Sequence, residues 1–388
     1  TNSPWFNQVP KHPFNVGYDF NHASTYTQNF MDSVNNYWIN EYHFDGYRFD
    51  LSKGFTQNNT GDDVGAWGQY DPGRISILKR MNNEIKAVDA SAYVILEHFA
   101  DAQEETELGN AGMLLWRNVH GDFDSALKGN TRGISGAASS IHVSYMESHD
   151  EERQMVGMLS GGLQAGNYDV KNTAVALERA KMGAAFLMLQ KGPKMMWQFG
   201  ELGYDVSINF NGRVGNKPLP WGSGNLGLYE DPLRQHLYDA YAAINNLRLA
   251  YSSVFNTGAV VASLGGKLKS LTIHHGQLDV VVIGNFGVEE GELTYEFPST
   301  GAWFDYFGGD EFSVTSAAAT QTLKPGEFYI YTNKRVSEGF PGVVEIYENP
   351  VTVSPSSFGL DDEITIIFDA TKASKDGTAG LVGASKVF

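Results

Sequence analysis

The chain of 388 residues is 42% hydrophobic and 19% charged, enough apolar content to bury a core and long enough for two or three domains. Its net charge of −17, with a sequence pI near 5.0, excludes a phosphate-binding surface of the kind nucleic acid needs, whereas a neutral ligand or plain solubility suits it. With no cysteine, disulfides, thiolate catalysis and Cys-ligated zinc are excluded; no run of about 18 apolar residues marks a membrane span, and TNSPWFNQVP lacks the basic start and apolar stretch of a signal peptide.

Residues 1–24 are irregular and rich in Asn, Pro and His, and a helix is predicted over Thr25–Asn40 with Phe30, Val34 and Trp38 on one face. FDGYRFD (44–50) reads as a buried strand ending in a carboxylate, followed by a Gly/Asn/Asp-rich loop over 54–73. Leu78, Met81, Ile85 and Val88 then recur at helical spacing, and YVILEHF (93–99), GMLLWRN (112–118) and HVSYMESHD (142–150) are short apolar runs that end in polar residues. Asn172 and Thr173 are placed to cap a helix reaching Gln190, which Gly192-Pro193 stops; KMMWQFGELG (194–203) is read as a fifth strand with its loop, and a last helix spans 231–247. Alternation of strands and helices implies parallel βαβ units, with polar side chains gathered past the C-terminal strand ends.

From Tyr251 the period changes to two. SLTIHHGQLDVVVIGNF (270–286) is a predicted hairpin turning near His275-Gly276, and GELTYEF, AWFDYF and GEFYIYTN continue an antiparallel domain that closes near Arg335. After a glycine-rich joint (Gly339 to Gly342), residues 351–371 read as two strands of a further sandwich.

Three carboxylates stand at the ends of three predicted strands. Asp50 follows Arg48 by two residues, so both side chains share a strand face and the guanidinium favours an ionised Asp50. Glu97 follows the apolar run YVIL, an environment that raises a carboxyl pKa and suits a general acid. His149-Asp150 offers an imidazole and a carboxylate to sugar hydroxyls. Taken singly, each of these has a plain structural reading as a strand-end ion pair or surface residue.

In combination, DGYRFDLSKGF (45–55), VILEHFA (94–100) and SYMESHDEER (144–153) resemble, position by position and in order, the three motifs that hold the catalytic residues of the alpha-amylase family of glycoside hydrolases. HPFNVGYDFNHAS (12–24), FGELGYD (199–205) and NGRVGNKPLPW (211–221) are similar to further family segments. The resemblance covers residues 1–335 and implies an α/β fold: a (β/α)8 TIM barrel over 1–247, then an all-β antiparallel domain over 248–335, with 336–388 a linker and the start of a further β-sandwich. It implies Asp50 as nucleophile, Glu97 as acid/base, Asp150 with His149 as transition-state stabilisers, Arg48 as the family arginine, and Lys53 as a substrate contact; Trp116 is a candidate to stack on a glucose ring. The family's earlier D-x-x-x-N-H motif is not found upstream of Asp50, so only strands four to eight are expected in this chain, an N-terminal barrel segment being supplied by another chain or a separate segment. The expected ligand is an alpha-glucan and the expected activity cleavage of internal alpha-1,4 links, with pullulanase, cyclodextrinase, branching-type and non-catalytic glucan-binding alternatives. The chemistry requires no cofactor. Family members often hold a structural calcium, for which no ligand set is visible here. An extracytoplasmic setting (secreted, periplasmic or cell-surface) is compatible with the missing cysteines.

Overall fold

The computed structural model describes residues 3–14, 17–136, 139–222, 224–344, 351–354, 363 and 365–368. The chain divides into two compact units, Thr1–Arg117 with Ile141–Val143, and Asn118–Ser140 with Ser144–Phe388.

The first unit is built on parallel strands β1 (Gly46–Phe49), β2 (Tyr93–Leu96) and β3 (Leu114–Asn118), with β4 (His142–Tyr145), whose first residues belong to this unit, next in the order β1-β2-β3-β4. The register sets Arg48 against Ile95 and Phe49 against Leu96. Gly46 has φ +150 and lies against the backbone of Tyr93, where a Cβ would come within 2.2 Å of a carbonyl oxygen, so glycine is required for β1 to approach β2. The helices are α1 (Thr25–Tyr42), α2 (Val64–Trp67), α3 (Pro72–Val88) and α4 (Ala102–Asn110). Helix α3 starts where Asp71 accepts from the backbone N–H groups of Gly73 and Arg74 and Pro72 fills the first turn. Its Ile75, Leu78, Met81 and Ile85 pack with Val94 and Leu96 of β2, Leu108 of α4 and Leu115 of β3. Leu78 is fully buried, and truncating it to alanine costs about 2–5 kcal/mol.

Two helix readings change. Helix α1 buries Thr27, Asn35 and Ile39, while Phe30 and Trp38 are 50% and 38% exposed, so the face carrying them is not the packed one. Helix α4 carries no apolar stripe, because its buried positions include Glu104 and Glu105, held by ion pairs and hydrogen bonds instead of apolar contacts.

The second unit holds α5 (His120–Leu127), α6 (Gln154–Gly161), a short ladder of β5 (Gln164–Ala165) with β6 (Tyr168–Asp169), α7 (Thr173–Met188), α8 (Pro232–Ala250) and α9 (Ser252–Thr257). Asn172 caps α7 as expected, accepting from Ala174 and Val175. In the predicted strand and loop at 194–203, the strand contracts to one parallel bridge between Ser144 and Lys194, after which Phe199 turns left-handed and a single 3-10 turn, Gly200–Leu202, follows. Pro193 has no N–H to give a ladder, and the Lys194 ammonium turns back onto the carbonyls of Lys191, Gly192 and Pro193, so the segment does not extend as a strand.

The period-two region forms β7 (Ala259–Ser263), β8 (Leu268–His274), β9 (Val280–Asn285), β10 (Gly291–Glu296), β11 (Gly301–Asp305), β12 (Glu311–Val314), β13 (Ala318–Leu323) and β14 (Phe328–Thr332). Six of these pair in the order β12-β11-β14-β9-β8-β7, and β10 pairs with β13. Strand β9 explains its own sequence: Val280 and Val282 enter the core shared with α7 and α8, whereas Val281 and Ile283 enter the core between the two sheets with Leu293, Trp303 and Leu323. Strands β15 (Val351–Ser354) and β16 (Thr365–Phe368) form an antiparallel pair; the rest of the predicted terminal module lies outside the described residues.

Candidate active site

Parallel pairing of β1 with β2 delivers Asp50 and Glu97 one step past the last paired residues, Phe49 and Leu96. The backbone stays joined there: Glu97 N–H donates to the Phe49 carbonyl at 3.0 Å and Ser52 N–H to the Glu97 carbonyl at 2.8 Å. Between these contacts Leu51 is left-handed (φ 44), a conformation a leucine holds only when its surroundings fix it. Its N–H donates to Glu97 Oε2 at 2.9 Å.

Arg48 joins the two carboxylates. Its Nη1 donates to Asp50 Oδ1, and its Nη2 lies 2.8 Å from Glu97 Oε2. The guanidinium rests 4.0 Å above the Trp116 ring, which fixes its plane. Trp116 is 7% exposed, and the ring face toward Arg48 is covered by the guanidinium.

The carboxylates occupy unlike surroundings. Burial pushes the Glu97 carboxyl above its ordinary range; the Leu51 N–H and the Arg48 charge oppose that rise, and the Asp50 charge and hydrogen bond add to it. The Asp50 side chain is 77% exposed. A buried carboxyl with a raised pKa beside an accessible one is the division between acid and nucleophile that glycoside hydrolysis uses. The two carboxylates meet through Arg48, whose Nη1 holds Asp50 and whose Nη2 lies against Glu97.

Lys53 donates to the Phe99 carbonyl at 3.2 Å and lies 4.3 Å over the Trp67 ring, and burial lowers its pKa. Its ammonium is therefore engaged within the first unit. Sequence reading passed over what lies behind this loop: His98, Glu104 and Arg74, all essentially inaccessible to solvent and linked by hydrogen bonds. Their signal was present in the chain as a histidine adjoining Glu97 and an acid inside a polar helix, but neither has a periodicity to reveal it.

His149 and Asp150 follow β4 in the second unit. His149 Nε2 lies 3.1 Å from Asp150 Oδ2, and Arg213 Nη2 donates to the Asp150 carbonyl at 2.7 Å and lies 3.2 Å from Oδ1. Both side chains are about half exposed, and the His149 ring stands 6.0 Å from that of Trp197. Below them Glu147 is buried, accepts from the Gln154 N–H at 2.7 Å and faces Arg153 Nη1 at 3.3 Å; burial raises its pKa in spite of Arg153. Arg213, Trp197 and Arg153 were not identified from sequence. Among the described residues no group of three or more His, Asp or Glu is arranged to hold a metal ion, and no helix is long and apolar enough to cross a membrane.

The structural neighbours of this chain are glycoside hydrolases of the α-amylase family, which shows that the chain has a fold of that class. An α-amylase from Geobacillus thermoleovorans, solved with acarbose, superposes with a TM-score of 0.61 at 13% identity over 86% of this chain and 72% of that one. An Anoxybacillus α-amylase gives 0.61 at 14% identity over 85% and 70%, and a debranching enzyme from Nostoc punctiforme 0.56 at 14% over 84% and 68%. In sequence, the chain is 30% identical over 115 residues to a 1,4-alpha-glucan branching enzyme of Jannaschia sp. (strain CCS1), a stretch that is 26% of this chain and 16% of that enzyme. No protein-family model matches the chain.

Proposed function

We propose that this chain is the catalytic portion of a retaining α-glucan hydrolase that cleaves internal α-1,4 links. The observation that carries the reading is the pair of carboxyl groups at adjacent strand ends, one buried, one exposed, bridged by Arg48. Glu97 protonates the leaving glycosidic oxygen while Asp50 attacks the anomeric carbon. Glu97, now the base, takes a proton from water, which displaces Asp50 and restores the original anomeric configuration. Asp150 and His149 hold ring hydroxyls as oxocarbenium character develops, and Arg48 orients Asp50 through the hydrogen bond from its Nη1.

In this reading the parallel strands are strands four onward of a (β/α)8 barrel, and the N-terminal part of the barrel comes from a further segment. Two features support that. Among the described residues β1 pairs with β2 alone, and next to it Tyr37, Trp38, Tyr42 and Phe44 stack on one another while exposed. A structural calcium and an extracytoplasmic location belong to the same proposal. The likeness to a branching enzyme favours one second reading, a glucan-branching transferase that passes the Asp50-bound glycosyl group to a sugar hydroxyl instead of water. Chromatography of products from amylose and pullulan, with NMR of the newly released anomer, tests the proposal. Release of α-configured malto-oligosaccharides from amylose supports hydrolysis, an increase in α-1,6 links supports transfer, and a β-configured product defeats both.

A further inference from the structure

The turn that follows Asp50 is clamped from behind. Ser52 is fully buried, and its hydroxyl lies 2.9 Å from His98 Nδ1 and 3.0 Å from the Glu97 carbonyl. His98, also fully buried, places Nε2 2.8 Å from Glu104 Oε1. Arg74 grips Glu104 with both arms, Nε to Oε1 and Nη2 to Oε2, each at 2.7 Å, while the Asp71 N–H donates to Oε2 at 2.9 Å. Arg74 also donates to the carbonyls of Lys53 and Trp67, both at 3.1 Å, so the residue after Ser52 is tied to the same group.

Glu104 faces a guanidinium on both oxygens and is an anion, able only to accept. The imidazole nitrogen against it therefore carries a hydrogen. The other ring nitrogen, Nδ1, meets the Ser52 hydroxyl, and the Glu97 carbonyl accepts from both the Ser52 N–H and the Ser52 hydroxyl.

We propose that His98 is a positioning residue for the Asp50–Glu97 pair, holding the turn after Asp50 against the strand end of Glu97 through the Ser52 hydroxyl. The strained Leu51 between them needs such over-determination, and the N–H that Leu51 gives to Glu97 depends on the turn staying in place. The inference rests on the reading of Asp50 and Glu97 as the reacting carboxylates.

The test uses the full chain with Ser52→Ala, His98→Gln, His98→Asn and the Ser52→Ala/His98→Gln double variant, assayed on soluble amylose and checked for folding by circular dichroism. Gln keeps a donor for Glu104 but withdraws the hydrogen-bonding partner from Ser52; Asn restores one near the Nδ1 position. Ser52→Ala and His98→Gln should each lower kcat about 10–100-fold with KM within about threefold. The double variant should be no worse than its poorer parent, and His98→Asn should recover much of the loss. A folded Ser52→Ala or His98→Gln protein with kcat within about twofold of wild type, or additive losses in the double variant, overturns the assignment. Amide hydrogen exchange separates this from the functional reading. If wild type hydrolyses no glucan, that reading fails, and the clamp still stands or falls on whether His98→Gln speeds exchange at Leu51 and Ser52 about tenfold without altering the α3 core.

Discussion

Arg48 Nη2 stands 2.8 Å from Glu97 Oε2, while the neighbouring Nη1 holds Asp50. A single guanidinium thus spans two carboxylates that differ sharply in exposure, and removing either acid should disable one distinct half of the proposed double displacement. Asp50→Asn removes the nucleophile and Glu97→Gln the proton donor. Each should reduce kcat on amylose by roughly 10³-fold or more, with the circular dichroism spectrum unchanged. An added small anion such as azide should restore part of the turnover in Glu97→Ala on an activated aryl glycoside and give an α-glycosyl azide, whereas in Asp50→Ala it should attack directly and give the β-glycosyl azide. Near-normal turnover in Asp50→Asn or Glu97→Gln would remove the assignment.

The raised pKa of Glu97 also fixes a sign for stability. Its folded-state pKa lies above the unfolded value, so the native chain holds the proton more firmly, and stability falls as pH rises through the interval between the two. Above the unfolded pKa, the burial of Glu97 therefore costs stability. Glu97→Gln should therefore have a higher Tm than wild type at pH 7, and the difference should vanish below about pH 4. Differential scanning calorimetry over pH 3.5–8 checks this, and a constant offset across that range would contradict it. Arg48→Met, which deletes a charge that lowers the Glu97 pKa, should move the alkaline limb of kcat/KM to higher pH and lower kcat.

How far the chain disclosed this arrangement depends on which interactions are local. The β1 and β2 strand ends were legible because apolar runs and terminal carboxylates sit within a few residues of each other, and β9 was legible from its valines. The packed face of α1 was not legible, because helical spacing reports which residues share a face and not whether that face finds a partner; Phe30 and Trp38 share one and remain exposed. The fate of Trp116 hinged on Arg48, 68 positions away in sequence. Glu104, inside a helix with no apolar stripe, was hidden for the same reason: its burial is made affordable by Arg74, 30 positions distant.

Glu104 supports a prediction of opposite sign. Burial pushes its carboxyl up, but hydrogen bonds from His98 and Arg74, the Arg74 charge and the Asp71 N–H together outweigh that and leave it at about 2. Its depressed pKa contributes stability that is complete above the unfolded value near 4.5 and is lost as pH falls toward about 2. Glu104→Gln should lower Tm markedly at pH 7, because Arg74 is left buried without its counter-charge. The gap to wild type should narrow progressively below about pH 4.5. Acid-titrated thermal melts of the two proteins decide the point: parallel curves down to the acid limit would show that Glu104 is not the anion its partners imply.

The pair formed by Asp150 and Arg213 is of a different kind. Both side chains are about half exposed, in contrast to the buried Arg74–Glu104 pair. Screening by solvent and salt leaves such a contact about 0–1 kcal/mol at most. Arg213→Ala should therefore leave the melting temperature nearly unchanged, and it frees the Asp150 carboxylate to meet sugar hydroxyls. If Asp150 stabilises the transition state, Asp150→Ala should cut kcat by roughly 10²-fold or more, while Arg213→Ala keeps kcat within about threefold. Raising the salt concentration should mimic Arg213→Ala in wild type and have no further effect in the variant. Equal collapse of kcat in both proteins would mean that the guanidinium itself is needed at the sugar, and the division of labour drawn here between the carboxylate and its exposed partner would be wrong.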